Sequence, residues 1–206
     1  MFAPRIDPPT VARLWSMLAH AHGTQVHAAR LAAGLGVSAP TVTSYIDLLE
    51  RLLLVRRLRP WSGNVGKRLV RTPKTYLRDS GVLHALLALD RWDAVLGHPI
   101  AGTSWEGFAI EALIVAAGPD RTPLFYRTED GAEIDLVFER GGRVEYAIEI
   151  KRSMAPTLSR GATSALSVLE PGRAVVVHGG TGRWALRDSV DAMSVADLAR
   201  ELREGA

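Results

Sequence analysis

Apolar residues in the N-terminal part of the chain recur with the period of an α-helix. The stripe from Val11 to Leu18 keeps the i, i+3, i+4, i+7 spacing of one helix face, and Asp7 precedes it as a cap residue. A short second helix is expected at about 27–34, and a third helix with its own apolar stripe follows Ser38. Three short helices joined by glycine turns are typical of a helix-turn-helix bundle.

The pattern then changes to extended segments at 54–58 and 69–77, with turn residues at 61–66 between them. A hairpin that follows a three-helix bundle is a wing. The sequence therefore predicts an N-terminal winged-helix module over residues 1–78, followed by a helical linker over residues 79–103.

Apolar runs in the C-terminal half predict a mixed core within residues 104–206. The predicted elements are a helix over residues 104–117 capped by Ser104, strands over 124–127, 133–139 and 144–151, a helix over about 158–169, and a strand over 173–178. This order is α-β-β-β-α-β. The expected fold class is therefore α/β for the core and α+β for the whole chain.

Three charged side chains on two of these strands are spaced to meet. Glu149 and Lys151 lie two residues apart, so both side chains leave the same face, and Asp135 lies in the middle of the preceding strand. Two carboxylates from adjacent strands can hold one hard cation, and a lysine beside them can stabilise negative charge or orient a water. Glu106 on the opening helix is a candidate further ligand. The alternatives are a solvated Glu–Lys pair and, for Glu106, a carboxylate favoured by the helix N-terminus.

Charge is unevenly distributed along the chain. Residues 1–90 carry 12 Lys and Arg against 5 Asp and Glu, a net of +7, and residues 91–206 carry 13 against 17, a net of −4, which together give the +3 of the chain. A basic N-terminal half is a candidate for contact with nucleic acid, although a general use of surface arginine explains the same excess. The cations expected to contact phosphate lie on the wing and on the second helix of the core: Arg56, Arg57, Arg59, Lys67, Arg68, Arg71, Lys74 and Arg160.

The third helix of the bundle is poor in residues that recognise bases. It carries no Arg or Lys before Arg51. Any contact with DNA is therefore expected to involve mainly the phosphate backbone. A scaffold or protein-docking role for this module is the alternative, because fold alone does not fix function.

Several kinds of site are excluded or disfavoured. The chain has no cysteine, so disulfides and thiolate metal sites are excluded. No apolar run is long enough for a membrane span and no signal peptide is recognisable, so a cytoplasmic location is expected. The segment 63–68 superficially resembles a P-loop, but Trp61 replaces its first glycine and Arg68 its hydroxyl residue, so no nucleotide site is expected in this chain.

The strand segments Gly-Ala-Glu-Ile-Asp135 and Ile-Glu149-Ile-Lys151 resemble the D…E-x-K signature of the PD-(D/E)XK nuclease-like superfamily. The resemblance implies a restriction-endonuclease-like αβββαβ core. It implies that Asp135 and Glu149 bind Mg²⁺ or Mn²⁺, with Glu106 as the helix carboxylate, and that Lys151 assists the attacking water. The Gln-x-x-x-Tyr motif of some DNA-processing members is missing, and Arg160 lies in its region instead.

More narrowly, almost the whole chain resembles the C-terminal region of a prokaryotic AAA-type ATPase family, a region known only as a domain of unknown function (number 4143). The segments that carry this resemblance are Thr41-Val42-x-x-Tyr45-Ile46-x-Leu48-Leu49-Glu50, Pro73-Lys74-x-Tyr76-x-x-Asp79-Ser80-Gly81, Trp105-Glu106-Gly107-Phe108 and the two strands above. The family's ATPase domain, with its P-loop, is not found in these residues, so an ATP-dependent role is not carried over to them.

These features together predict a Mg²⁺-dependent DNA nuclease or a nuclease-like DNA-binding protein. The alternative is a non-catalytic DNA- or protein-binding regulatory module of an ATPase. The expected partners are DNA, contacted mostly through its backbone, and an ATPase domain or another protein; no membrane partner is expected.

Overall fold

The computed structural model of the protein describes residues 6–63, 66, 68–187 and 189–205. It has a mixed α/β architecture in which the chain folds as two units. Unit 1 comprises Met1–Arg57 and Pro73–Gly107, and unit 2 comprises Leu58–Thr72 and Phe108–Ala206. The chain therefore changes unit three times, after positions 57, 72 and 107.

Unit 1 contains the three helices that the apolar pattern predicts, and further helices where a helical linker was predicted. Its helices are α1 (Pro8–His20), α2 (Ala28–Leu35), α3 (Ala39–Arg51), α4 (Ser80–Leu86), α5 (Trp92–Gly97) and the first part of α6 (Ala101–Ala117). Side-chain oxygens of Asp7 and Ser38 cap α1 and α3, as predicted, by accepting backbone N–H groups. Leu14, Leu18 and Val42 are fully buried in the core that these helices form.

The predicted wing is present only in part. Its strands are β2 (Val55–Pro60) and β3 (Lys74–Leu77), which are neighbours in the sheet, and β3 also pairs antiparallel with β1 (Thr24–Gln25). The expectation that the second arm starts at residue 69 is wrong. Leu69 instead bridges to Thr128, and the Val70 N–H donates to the Arg127 carbonyl at 3.0 Å, both within unit 2.

Unit 2 is built on a mixed sheet. Its elements are β4 (Thr122–Arg127), β5 (Glu133–Arg140), β6 (Arg143–Ile150), α7 (Arg160–Leu169), β7 (Arg173–His178), β8 (Arg183–Arg187), β9 (Val190–Ser194) and α8 (Val195–Glu204). The strand order is β2-β4-β5-β6-β7-β9-β8, with the β2–β4, β6–β7 and β7–β9 pairs parallel and the others antiparallel. The order α6, β4, β5, β6, α7, β7 matches the predicted α-β-β-β-α-β.

A two-residue turn and a bulge set the pairing of β5 with β6. Gly141 and Gly142 have φ of 60° and 76°, the positive values that a type I′ hairpin turn needs at both positions. Next to the turn, Glu139 is opposite Val144, but one step further Phe138 is opposite Tyr146. Glu145 is therefore an extra residue in β6, a β-bulge that moves every later pair by one position.

Both faces of β5 and β6 are buried around the middle of the strands. Val137 and Ala147 alternate onto the face that carries Asp135 and Glu149, and both are buried because α7 covers that face. Strands covered on both sides lose the alternation between apolar and polar residues.

The structure corrects two other expectations about the second half. Ser104 does not cap α6, which begins at Ala101; the Ser104 N–H donates at 2.8 Å to the carbonyl of Ile100, the residue just before the helix. The elements β8, β9 and α8 were not predicted. The helices of the described residues are all too short or too polar to cross a bilayer.

Candidate active site

Asp135 and Glu149 lie opposite each other on neighbouring strands. The ladder of β5 and β6 includes the pair Leu136–Ile148, and the next step in the same register places Asp135 opposite Glu149. Residues directly opposite in an antiparallel pair have their Cβ atoms about 5 Å apart on one face. The pairing therefore brings the two predicted carboxylates together.

The Asp135 carboxylate also accepts a hydrogen bond from a backbone N–H at this end of the ladder. The Ile150 N–H donates to Asp135 Oδ2 at 2.8 Å. A side chain is thus the acceptor for a strand N–H, and because the acceptor is a carboxylate the bond is charge-assisted. This bond fixes the orientation of Asp135 beside Glu149.

Lys151 completes the cluster. Its Nζ lies 2.6 Å from Glu149 Oε1, and the side chains of Lys151 and Glu149 are 36% and 7% exposed. A carboxylate this deeply buried requires a compensating charge, which the ammonium group supplies. The Lys151 N–H donates to the Val177 carbonyl at 2.8 Å, so β7 holds the backbone at this position.

The chemistry of these donors suits a small hard cation. Magnesium is usually held by one or two carboxylates and keeps several waters. Asp135 and Glu149 supply two carboxylates from adjacent strands. Within the described ranges, no group of three or more His, Asp or Glu side chains is arranged to hold a metal, so the remaining ligands of an ion here would be waters or substrate oxygens.

Glu106 has a different environment inside unit 1. Its Oε1 accepts a hydrogen bond from Lys74 Nζ at 3.1 Å and another from the Tyr76 hydroxyl. The Lys74 side chain is only 5% exposed, so Glu106 neutralises a buried ammonium group. The alternative of a carboxylate at the helix N-terminus is wrong, because α6 begins at Ala101 and its first turn has no acidic residue.

The predicted phosphate-contacting cations fall into three groups. Lys74 is buried against Glu106, and Arg57 is paired within unit 1 with Asp47 at 2.7 Å and with Glu50, so both already neutralise carboxylates. Arg56 is half-buried, and Lys67 lies outside the described residues. The exposed members are Arg59, Arg68, Arg71 and Arg160.

A buried histidine in unit 1 was not singled out from the sequence. His22 is 3% exposed; its Nδ1 accepts the Leu77 N–H at 3.1 Å, and its Nε2 lies 3.1 Å from the Thr103 carbonyl. Because Nδ1 is an acceptor, the proton of the neutral ring lies on Nε2 and is donated to Thr103. Burial lowers the pKa of His22 to about 4. The environment of His22 could not be predicted from neighbouring residues, because Gly107, which packs directly on the ring, lies 85 positions further along the chain.

Each half of the chain matches a known family model. Residues 101–198 match the family model of a domain of unknown function, DUF4143. Residues 1–93 match the model of a second domain of unknown function, DUF8612. The resemblance to domain 4143 was expected over almost the whole chain, and the family model limits it to the C-terminal half. The DUF4143 match contains Asp135, Glu149 and Lys151, whereas Lys74 and Tyr76, the partners of Glu106, lie in the DUF8612 match.

Two mycobacterial proteins are similar over most of this chain. They are described as the uncharacterized proteins Mb2031c of Mycobacterium bovis and Rv2008c of Mycobacterium tuberculosis, and each is 45% identical over 190 residues. The aligned region covers 92% of this chain and 42% of each relative, so the chain spans about two fifths of their length. No solved structure matches the chain.

Proposed function

We propose that the DUF4143-matching region is a metal-dependent nuclease that hydrolyses DNA phosphodiesters, with a restriction-endonuclease-like core. The observation that carries the proposal is the hydrogen bond from the Ile150 N–H to Asp135, which holds that carboxylate next to the Glu149–Lys151 pair. A solvated Glu–Lys pair on a strand would not include a carboxylate that is only 7% exposed.

Each side chain has a defined role in this proposal. Asp135 and Glu149 would hold Mg²⁺ or Mn²⁺, which when bound supplies positive charge next to the scissile phosphate. Lys151 lies at the more exposed edge of the cluster, where its ammonium group orients the attacking water and stabilises charge on the phosphate oxygens. Glu106 is not assigned to the reaction, because its carboxylate binds Lys74 and Tyr76.

A second candidate function concerns unit 1, which we propose to be a winged-helix-like module that docks on a protein. The observation that favours it is the Arg57 guanidinium, which pairs with Asp47 and Glu50 on α3. Burial opposes ionisation of Arg57, but these two carboxylates more than compensate and raise its pKa. The predicted recognition helix therefore carries carboxylates that engage the cation of the adjacent strand. The resemblance of this chain to the C-terminal region of AAA-type ATPases makes a domain of that type a candidate partner.

The nuclease is tested with the purified chain, single- and double-stranded DNA, and Mg²⁺, Mn²⁺ or EDTA. Cleavage is expected with either metal and not with EDTA. Asp135→Asn, Glu149→Gln and Lys151→Ala are each expected to lower the rate at least about 100-fold, because each removes a group at the reacting phosphate. Glu133→Gln is the matched control, since Glu133 lies two residues before Asp135 and pairs with Arg127 at 3.5 Å.

Two outcomes would contradict this assignment. Cleavage that is equal in the Lys151→Ala variant would come from a contaminant. If neither metal cleaves DNA, and titration calorimetry detects no Mn²⁺ binding that depends on Asp135, the second candidate function is the one that survives.

A further inference from the structure

A cleft beside Trp61 has features that the proposed cleavage site does not use. The cleft lies within unit 2 and has a volume of about 780 Å³. One wall is the end of β2 with Trp61, and the other is the segment 68–71. This volume is in the range of natural ligand sites, which is about 300–1,000 Å³.

Backbone hydrogen bonds tie both walls of the cleft to the β4 strand and the turn after it. The Trp61 N–H donates to the Phe125 carbonyl at 2.7 Å on one side. On the other side, the Val70 N–H donates to the Arg127 carbonyl and the Glu129 N–H to the Arg68 carbonyl, both at 3.0 Å. The cleft is therefore preformed by main-chain contacts, although its walls lie in the connection between two strands.

The indole of Trp61 is held in one orientation. Its Nε1 donates to Glu139 Oε2 at 3.0 Å, and its ring centroid lies 6.0 Å from that of Tyr126. Gly63 packs against one edge of the ring, where a Cβ atom would lie only 1.9 Å away. Trp61 also lines a second cleft, of about 550 Å³, on the side of Arg143. One fixed aromatic ring is thus shared by two clefts.

Arginines lie on the rims of both clefts. Arg68 and Arg71 line the first cleft and Arg140 and Arg143 the second, and all four are exposed. Arg68 lies 4.0 Å from the carboxylate of Glu129, and both side chains are mostly exposed, so this pair is weak.

The second cleft also carries acidic residues beside its arginines. Glu145 is held by the buried guanidinium of Arg121 at 2.8 Å, and the hydrogen bond from Arg121 lowers the pKa of Glu145. Its contact with Arg140, at 2.9 Å, is therefore shared with another cation. Glu170 is the remaining carboxylate on this rim.

We propose that the two clefts bind single-stranded nucleic acid, with a base stacked on Trp61 and phosphates on the arginines of the rims. An aromatic ring inside a cleft reaches base faces only when the bases are unpaired, and cations with stacking platforms are the features of single-strand binding sites. The inference rests on the proposed nuclease and names the form of its substrate. Tyr126 on β4 lies next to Trp61 and pairs with Ile134, the residue before Asp135. The β4 strand therefore passes close to the candidate active site.

The test measures binding by the full chain in EDTA, by fluorescence anisotropy of a labelled 15-nucleotide oligothymidylate and of a blunt duplex of the same length. The single strand is expected to bind at least about tenfold more tightly than the duplex at the same salt concentration. Trp61→Ala is expected to weaken binding about 5- to 100-fold, and Trp61→Phe is expected to retain most of it.

The exposed arginines provide variants that do not disturb folding. Arg68→Gln and Arg71→Gln are each expected to reduce the slope of log affinity against log salt by about 0.7, the value for one phosphate contact on a single strand. Arg203→Gln, an exposed cation near the end of α8, is the matched control and should leave the slope unchanged. Competition with thymidine monophosphate separates strand binding from mononucleotide binding; complete displacement at equal concentration would overturn the proposal.

Equal or tighter binding of the duplex would also overturn it, as would unchanged affinity in both Arg68→Gln and Arg71→Gln. Because EDTA removes metal and prevents cleavage, these outcomes are independent of the nuclease test. If single strands bind through Trp61 but no metal supports cleavage, the proposed function fails and the binding site stands.

Discussion

At the residue scale, His22 couples the stability of unit 1 to pH. Its neutral ring uses both nitrogens, one to accept the Leu77 N–H and the other for the Thr103 carbonyl. Protonation would set a second N–H against the Leu77 donor, and burial already disfavours the charged ring. The folded state therefore keeps this histidine neutral over a range in which the unfolded chain protonates it.

The sign of the effect follows from the two pKa values. The pKa of His22 is lowered from 6.5 to about 4 in the folded protein, so its contribution to stability is complete above pH 6.5 and is lost as the pH falls toward 4. The full loss is about 3 kcal/mol. Thermal unfolding between pH 7.5 and pH 4.5 measures it. His22→Gln is expected to be less stable at pH 7.5 and to depend less on pH, whereas exposed His20→Gln should follow the wild type.

Burial also lowers the pKa of His84, so part of the pH dependence comes from that residue. If His22→Gln keeps the whole pH dependence of the wild type, the assignment to His22 is incorrect and His84 is the group to replace next.

Gly107 allows α6 to approach His22. A Cβ at position 107 would lie 2.7 Å from His22 Nε2, and the ring cannot withdraw because hydrogen bonds hold both of its nitrogens. Gly107→Ala is therefore expected to lower the unfolding free energy by about 1–3 kcal/mol, as overpacking does in other cores. Gly102→Ala on the same helix is the matched control: a Cβ there meets no atom within 4 Å, and alanine favours helix, so stability should be unchanged or slightly higher. Urea unfolding of both variants decides between steric conflict and helix propensity.

At the scale of elements, the pair Lys74–Glu106 joins β3 to α6 inside unit 1. Removing the Glu106 charge takes a carboxylate partner from a buried ammonium group, so Glu106→Gln is expected to cost about 3–5 kcal/mol of unfolding free energy. Lys74→Met with Glu106→Leu removes both charges together and should recover most of that loss. Denaturant unfolding measures the stability, and Mn²⁺ titration of the same variants measures the metal. Unaltered stability combined with lost metal binding would make Glu106 a ligand, contrary to its place in the structure.

Local signals were sufficient for some elements. Asp7 and Ser38 were predicted as caps because an N-cap depends on a side chain and an N–H only a few residues away. The approach of Asp135 to Glu149 was accessible in part, since one short hairpin with a glycine turn carries both residues, but the bulge at Glu145 that sets them opposite each other was not predicted. Such features need only nearby residues, which a single sequence displays.

Other elements depended on distant partners. Lys74 was expected at the surface, but its position is set by Glu106, 32 residues later. The strand β8 is exposed along most of its length, so it carries no apolar alternation that would reveal it. Leu69 was assigned to the wing because its bridge to Thr128 cannot be read from its own neighbours.

At the scale of the whole molecule, the chain path means that unit 2 is not one continuous stretch of sequence. Residues Leu58–Thr72 belong to it, although they lie before the second part of unit 1. In this segment, Arg59 and Pro60 pair in parallel with Leu124 and Phe125. Without the segment, β4 would be an edge strand with open hydrogen-bonding groups.

A fragment of residues 104–206 is therefore expected to be unstable or to aggregate. A synthetic peptide of residues 58–72 supplied in trans should bind it and raise its melting temperature, because the peptide restores the partner of β4. Circular dichroism melts with this peptide and with a scrambled peptide of the same composition measure the effect. A fragment as stable as the full chain would show that Leu58–Thr72 contributes little to unit 2.

The single extra residue in β6 has a consequence for how this site tolerates change in length. If Glu145 were deleted, Tyr146 would follow Val144 directly, the register set at the glycine turn would continue without a bulge, and Asp135 would still lie opposite Glu149. Both strands would still form a hairpin, and both carboxylates would stay on one face of the sheet. Loss of one codon at this position would thus remove the bulge, with the contacts of Glu145 to Arg121 and Arg140, without separating Asp135 from Glu149.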